Sequence, residues 1–157
     1  MTYVPQRHLT LLIGPPGAGK STAMRQALSP YERHELPNDG LVPRDALFHN
    51  GTLVGVELGK QRGEFSGSDA LSQSILPNAL KYLANPPEQP PAILIEGTRL
   101  ANKRFLSSAV DLGYKVTLLH LDHPNSTKWR QERSRRLGKA QNESWVKGPN
   151  HSSAKPR

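Results

Sequence analysis

A phosphate-binding pattern close to the N-terminus constrains this chain more than any other feature. Residues 14–21, which read GPPGAGKS, match the pattern G-x-x-x-x-G-K-[ST] in full. The apolar run at residues 8–13 predicts a buried strand before the pattern, and the periodic residues 21–28 predict a helix after it. In that context the glycines let backbone N–H groups surround phosphate oxygens, and the helix start adds its positive dipole end. The pattern therefore predicts a P-loop that binds a nucleoside triphosphate.

The side chains at the end of this loop carry the expected chemistry. Lys20 is placed to reach the β- and γ-phosphates, and the Ser21 hydroxyl is placed to ligate magnesium. We therefore expect ATP and Mg²⁺ as cofactors. The expected nucleotide contacts are Gly14, Pro15, Pro16, Gly17, Ala18, Gly19, Lys20, Ser21 and Thr22.

Further strands and helices alternate along the chain. The apolar run 92–95, which ends at Glu96, is typical of a central parallel strand, and a helix at 101–112 separates it from a second buried strand at 115–121. Asn50-Gly51 predicts a tight turn that joins strands 46–49 and 52–58 into a hairpin. We expect an α/β fold, a P-loop NTPase three-layer sandwich with a mainly parallel central sheet and an inserted β-hairpin.

The remaining segments give weaker patterns. Residues 31–43 are polar and contain prolines, which predicts a loop, whereas Ser68-Asp69 is a candidate cap for a helix at 70–83 with a kink or break at Pro77. A basic helix is predicted at about 124–138, beginning with proline at its favoured first position. We expect one P-loop domain over residues 1–146 and a basic, disordered tail over 147–157.

Acidic and basic residues after the predicted strands supply the other candidate catalytic groups. Glu96 is a candidate magnesium ligand, with a simple strand-end acid as the alternative. Asp69 is the candidate general base for a substrate hydroxyl, or else an acid in a helix first turn. Arg130, Arg133 and Arg136 share one face of the basic helix and are candidates for a lid over the transferring phosphoryl group, or for a solvated or nucleic-acid-contacting face. The candidate substrate contacts are Arg62, Ser66, Ser68 and Arg99.

Charge is distributed unevenly along the 157 residues. The formal net charge is +8, and residues 99–157 hold 13 Lys and Arg against 4 Asp and Glu, whereas residues 1–98 are almost balanced. Such asymmetry is expected where one face meets polyphosphate or nucleic acid, although a solvated basic tail gives the same pattern. The sequence contains no cysteine, and its N-terminus and apolar runs lead us to expect neither a signal peptide nor a membrane-spanning segment. We expect an intracellular, cytoplasmic protein, a monomer or small homo-oligomer without a membrane partner.

The glycine loop, the single acid Glu96 and the late arginine helix together resemble the small P-loop kinases that include the zeta-toxin and polynucleotide-kinase 5′-hydroxyl domains. In those kinases an Asp after the second strand is the base, which implies that role for Asp69. Residues 56–71, 96–102 and 141–148 also resemble P-loop proteins of phages and actinobacteria that are described only loosely as kinases. Ser68-Asp69-Ala70-Leu71 stands where the zeta-type pattern reads Asp-Asp-Phe-Arg, and the hairpin differs from the compact polynucleotide-kinase core.

Together, these features predict a kinase that transfers the γ-phosphoryl group of ATP to a hydroxyl. The basic charge favours a nucleic-acid or nucleoside acceptor, such as a modified base in phage DNA, in which case the enzyme acts in the host cytoplasm. A small metabolite or a nucleotide sugar is the alternative acceptor. A P-loop ATPase or nucleotide-binding switch that acts on a protein or nucleic-acid partner is the alternative from another functional class.

Overall fold

A central β-sheet organises the part of the chain that the computed structural model describes, namely residues 5–15, 19–62, 65–68 and 71–122. The strands are β1 (His8–Ile13), β2 (Glu32–Glu35), β3 (Arg44–His49), β4 (Thr52–Leu58), β5 (Lys60–Arg62), β6 (Phe65–Gly67), β7 (Ala92–Glu96) and β8 (Lys115–His120). The helices are α1 (Lys20–Leu28), α2 (Leu76–Ala84) and α3 (Lys103–Asp111).

The main sheet has six strands in the order β2-β3-β4-β7-β1-β8, and β5 pairs with β6 in a separate two-stranded sheet. Strands β4, β7, β1 and β8 are parallel neighbours. Strand β3 is antiparallel to both β2 and β4, so it alone runs against the other strands of this sheet. The expected mainly parallel sheet of an α/β P-loop NTPase fold is therefore confirmed.

The strand order also determines on which face each helix lies. The chain moves from β1 to β4 in one direction across the sheet, and from β4 to β7 and from β7 to β8 in the other direction. Because crossovers between parallel strands are right-handed, α1 lies on one face and α2 and α3 lie on the opposite face. Buried residues of α2 and α3 share one hydrophobic cluster, whereas Met24 of α1 is buried outside it. The sheet thus separates two helical layers.

The largest part of the core lies between the sheet and the layer formed by α2 and α3. Alternate residues of β1, β4 and β7 point into it, and they meet Tyr82 of α2 and Phe105 of α3, which are both fully buried. Burial of each apolar side chain of this size contributes about 1.5–3 kcal/mol. The strand residues in this cluster are Leu9, Leu11, Ile13, Val56, Leu58, Ile93 and Ile95.

The predicted hairpin is confirmed, and it contributes to the main sheet. Asn50 and Gly51 have φ values of 50° and 78°, the positive values at both central residues that a type I′ turn requires. The second strand of the hairpin, β4, pairs in parallel with β7. The insertion relative to a purely parallel sheet therefore consists of β3 together with β2.

Two of the local predictions were wrong. Residues 31–43 do not form only a loop, because Glu32–Glu35 forms the edge strand β2. The helix predicted from residue 70 begins at Leu76, with Pro77 in its first turn rather than at a kink. Proline is tolerated there because the first N–H groups of a helix have no partner within the helix.

The later elements agree with the sequence predictions. Helix α3 begins after Asn102, whose side-chain oxygen accepts a hydrogen bond from the N–H of Phe105 at 2.9 Å, and it is followed by Gly113 at φ 92°. Among the described residues, no helix is both long and apolar enough to span a membrane. The basic helix at 124–138 and the tail at 147–157 lie outside the described residues, and the domain boundary near residue 146 stays a prediction.

Candidate active site

The candidate site lies at the carboxyl ends of β1 and β7, which are neighbours in the sheet. The helix after β1 lies on one face of the sheet and the helix after β7 lies on the other, so the chain leaves these two strands in opposite directions. Ligands of open α/β sheets bind at such a topological switch point. The glycine loop follows β1. Glu96 is the last residue of β7, and Gly97 and Thr98 follow that strand.

Two glycines set the course of the loop around residues 14–21. A side chain at Gly14 would collide with the carbonyl oxygen of Leu121, which follows β8, so only glycine fits here without displacing that backbone. Gly19, the residue before α1, has φ 92°, a left-handed conformation that glycine adopts without strain. Its carbonyl accepts the N–H of Ala23 at 2.8 Å. The loop therefore turns directly into the first turn of α1.

Lys20 begins α1 and points back across the loop. Its Nζ donates to the carbonyl oxygen of Gly14 at 2.8 Å and lies 3.5 Å from that of Pro15. An ammonium group in this position lies at the start of the helix, where backbone N–H groups and the helix dipole favour anions. The described part of the loop thus has the cation and the donors of a phosphate site. Thr22, also an expected contact, is exposed in the same first turn, and Pro16, Gly17 and Ala18 lie outside the described residues.

Ser21 and Glu96 meet at the switch point although they lie far apart in the sequence. The Ser21 hydroxyl donates to Oε1 of Glu96 at 3.0 Å, and Glu96 is 2% exposed. Glu96 is in register with Leu12, so its side chain lies on the face of the sheet that α1 covers. A hydroxyl and a carboxylate are oxygen ligands of the kind that Mg²⁺ prefers. These two residues therefore fit a magnesium ion beside the phosphate loop.

Ser68 connects the segment after β6 to the same strand end. Its hydroxyl donates to the backbone carbonyl of Glu96 at 2.8 Å, and the residue is fully buried. Its own carbonyl accepts the N–H of Leu71 at 3.0 Å, and Leu71 belongs to the core. Ser68 therefore fixes this segment beside Glu96. Asp69, the candidate base that follows it, lies outside the described residues.

The remaining candidates that the structure describes lie in two regions. Arg99 lies in the turn between β7 and α3, three residues beyond Glu96. Arg62 and Ser66 belong to the small β5–β6 hairpin, where Arg62 pairs with Phe65 and Ser66 with Gln61. The candidate lid residues Arg130, Arg133 and Arg136 lie outside the described residues.

Comparison with protein families agrees with this geometry. Residues 5–156 match the family model described as P-loop Nucleotide Kinase3. The chain belongs to the P-loop Nucleotide Kinase3 family. The protein is thus a nucleotide-binding kinase of the P-loop class, as the sequence predicted. Comparisons with curated proteins and with solved structures give no significant match.

This P-loop Nucleotide Kinase3 member also holds a buried ion-pair cluster that the sequence analysis missed. Arg33 of β2 contacts Asp45 of β3 and Glu57 of β4, each at 2.8 Å, and the two acids are 6% and 0% exposed in their side chains. Burial alone lowers the pKa of Arg33, but the hydrogen bond to Asp45 and the charge of Glu57 raise it above its ordinary value. Asp45 pairs with Glu57, which pairs with Leu94, so the cluster lies on the α1 face, like Glu96.

A second cluster lies on the opposite face of the kinase, around Arg44. This guanidinium binds Asp39 at 2.6 Å and Glu88 at 2.8 Å and stacks over the Tyr82 ring at 4.9 Å. The hydrogen bond from Arg44 lowers the pKa of Asp39 from 3.8 to about 2. Burial raises the pKa of Glu88, but hydrogen bonds from Arg44 and Tyr82 reverse this, and the net shift is downward. The signal available in the sequence was Glu57, a charged residue between the apolar strand residues Val56 and Leu58, whereas Arg44 and Asp45 are adjacent charges without such a pattern.

Proposed function

We propose that this P-loop kinase transfers the γ-phosphoryl group of ATP to a hydroxyl group of a nucleic acid or nucleoside, with magnesium as cofactor. The observation that carries the proposal is the 3.0 Å contact between Ser21 and Glu96 next to the Lys20 loop. It puts one hydroxyl, one buried carboxylate and one ammonium at a topological switch point. These groups suit a bound triphosphate and its metal ion.

Each group has a part in the proposed reaction. Lys20 and the loop N–H groups hold the phosphates, and Ser21 and Glu96 hold the magnesium ion. Magnesium, when bound, supplies charge neutralisation on the phosphate oxygens. The acceptor oxygen forms a bond to the γ-phosphorus while the bond to the bridging oxygen breaks and ADP leaves. The proton of the acceptor hydroxyl passes to a carboxylate, for which we propose Asp69.

The anchoring of Ser68 supports the assignment of Asp69. Ser68 is buried and donates to the backbone carbonyl of Glu96, so the residue that precedes Asp69 in the sequence is held at the end of β7. A base must lie near the γ-phosphate to accept the proton of the acceptor.

The acceptor class rests on charge and on the resemblance to zeta-toxin and polynucleotide-kinase domains and to phage P-loop proteins. The formal net charge of +8 gathers polyanions. We include Arg130, Arg133 and Arg136 as the lid over the γ-phosphoryl group, and Arg62, Ser66 and Arg99 as acceptor contacts. We further propose that the enzyme acts in the cytoplasm, the host's if it is encoded by a phage, as a monomer or small homo-oligomer.

The proposal is tested by following label from γ-labelled ATP in the presence of magnesium. The acceptors are single-stranded DNA, duplex DNA with hydroxymethylated bases, nucleosides and a metabolite mixture that includes nucleotide sugars. We expect label on DNA or a nucleoside, a loss of at least about 100-fold in Lys20→Ala, and a similar loss in Asp69→Asn. Arg25→Ala is the matched control, because Arg25 is an exposed cation on the same helix.

Each other outcome would change one part of the proposal: the reaction, the acceptor or the base. Label that appears only as free phosphate would establish the ATPase or nucleotide-binding switch in place of the kinase. Label on a metabolite or a nucleotide sugar would keep the kinase and replace the acceptor. Transfer that survives Asp69→Asn would move the base to another carboxylate, with Glu96 as the first to test.

A further inference from the structure

A group of three cations, which we name the basic rim, lies beside the candidate site on the β7 side. It consists of Arg99, in the turn after β7, and of Lys103 and Arg104, the first two residues of α3. All three lie at the carboxyl edge of the sheet, because α3 starts where the chain has just left β7. Lys103 and Arg104 are exposed, and Arg99 is partly exposed.

Lys103 and Arg104, the two exposed cations of the basic rim, have no acidic residue beside them in the sequence. Residues 97–110 contain three basic residues and no acidic residue. Within the described part of the chain, Lys103 and Arg104 form no salt bridge and no side-chain hydrogen bond. Two cations of the β2 and β3 strands have a different environment, because Arg33 and Arg44 are each held by two carboxylates. Lys103 and Arg104 therefore present two positive charges to the solvent.

Exposed cations that lie close together favour one kind of ligand, a polyanion. Exposed cations are screened over about 8 Å at physiological salt, so each of them binds a single small anion only weakly. A polyanion that contacts several of them at once gains affinity from the release of its counterions. A small phosphate-bearing acceptor would instead require enclosed, fixed donors.

We propose that the basic rim binds the phosphodiester backbone of the nucleic-acid acceptor and directs it to the crevice between β1 and β7. This inference rests on the proposed function and assigns the acceptor to one side of the site. Contacts of this kind position a strand without reading its sequence. Binding through the rim is therefore salt-dependent and independent of base composition.

The test measures the affinity of the full chain for a fluorescently labelled single-stranded DNA and for an RNA of the same sequence. Fluorescence anisotropy is recorded from about 50 to 200 mM salt. The rim variant is Lys103→Gln with Arg104→Gln. The matched control is Lys81→Gln with Lys115→Gln, which removes the same charge from two exposed lysines at the opposite edge of the sheet.

We expect the slope of log affinity against log salt to fall by about 0.7 for each lost contact, thus about 1.4 in the rim variant. The control should keep the slope of the unmodified protein. Both variants should unfold cooperatively in urea, with midpoints shifted only by the small amounts expected from charges at helix ends, which shows that both are folded. Equal slopes in the rim variant and the control would overturn the inference. An affinity for DNA and RNA that neither pair of substitutions changes would overturn it as well.

Parallel phosphoryl-transfer assays separate this inference from the proposed function. If label is transferred to a nucleoside or metabolite while the rim variant binds and reacts normally, the kinase stands and the rim inference fails. If DNA or RNA binding depends on the rim but no label is transferred, the rim is a nucleic-acid surface and the proposed reaction fails. The DNA and RNA arms show which strand the rim prefers.

Discussion

Charged side chains are paired and buried in the β2–β4 region of the sheet, but exposed at the start of α3 beyond β7. On the β2–β4 side, Arg33, Asp45 and Glu57 are paired and largely buried. On the β7–α3 side, Lys103 and Arg104 are exposed and, among the described residues, unpaired. Buried pairs affect mainly folding, since they are desolvated and weakly screened, whereas exposed cations affect mainly the capture of charged ligands. The contrast separates stability from binding along one edge of the molecule.

The buried side also explains why a polar segment becomes a strand. Strand β2 reads Glu-Arg-His-Glu and has no apolar residue to bury. Its Arg33 extends across β3 to Glu57 on β4, so the ion pairs connect three adjacent strands. Because a guanidinium can bind two carboxylates at once, a single residue joins the edge strand to the parallel core.

The largest expected effect is the loss of this connection. Arg33→Met leaves Asp45 and Glu57 close together, buried and without their cation, and removal of one partner of a buried pair costs about 3–5 kcal/mol. We expect that decrease in the free energy of unfolding from urea denaturation at neutral pH. Arg25→Met, a change of the same kind at an exposed position, should change it by less than about 0.5 kcal/mol.

A triple variant sharpens this prediction. Replacing Arg33, Asp45 and Glu57 together by Met, Leu and Leu removes the charges as a set, and apolar replacement of a whole buried cluster is often neutral or stabilising. We expect the triple variant to be more stable than Arg33→Met alone. If Arg33→Met unfolds at the same urea concentration as the unmodified protein, the ion pairs do not hold β2 in place.

A smaller effect is expected from acid at the Arg44 cluster. The pKa of Asp39 is lowered from 3.8 to about 2 by Arg44, so Asp39 contributes stability above pH 3.8 that is lost as the pH falls toward about 2. Glu88, whose pKa is also lowered, contributes in the same direction. Asp39 is 36% exposed, so solvent screens part of this contribution.

The measurement compares urea denaturation of the unmodified protein and Arg44→Met over that pH range. The difference in stability between the two proteins should shrink as the pH falls through the window, because protonated Asp39 and Glu88 no longer attract a cation. A difference that stays constant from neutral pH to about pH 2 would show that Arg44 acts through packing on Tyr82 instead.

Much of the fold could be predicted because its signals are local. Apolar runs marked β1, β7 and β8, and the Asn50-Gly51 pair marked the hairpin turn. The start of α2 was misplaced because Ser68-Asp69 has the sequence pattern of a helix cap, whereas the Ser68 hydroxyl donates to the carbonyl of Glu96, and Leu71 and Ile75 pack into the core from irregular backbone before the helix. Periodicity shows that a residue is buried, but it does not show which backbone conformation buries it.

The candidate site also has parts that could be predicted from local sequence and parts that could not. The P-loop was evident because its residues are consecutive, and the position of Glu96 followed from its place at a strand end. The contact of Ser68 with the carbonyl of Glu96 spans 28 residues, and the Arg33 cluster depends on how β2 pairs with β3. Neither is expressed in any local pattern, because each depends on strand pairing that only the folded chain determines.

The smallest expected effect is a gain in stability on the exposed side. Cations in the first turn of a helix oppose its dipole, at a cost of about 0.3–1 kcal/mol each at low salt, and α3 carries Lys103 and Arg104 there with no acid. We therefore expect the Lys103→Gln, Arg104→Gln variant to unfold at slightly higher urea concentration, with the gain vanishing at high salt. Lys81→Gln should do the opposite, because Lys81 lies in the last turn of α2, where a cation is favourable. If the rim variant is instead destabilised, its two cations help to hold the fold, and the division between buried charges for stability and exposed charges for binding fails on this side.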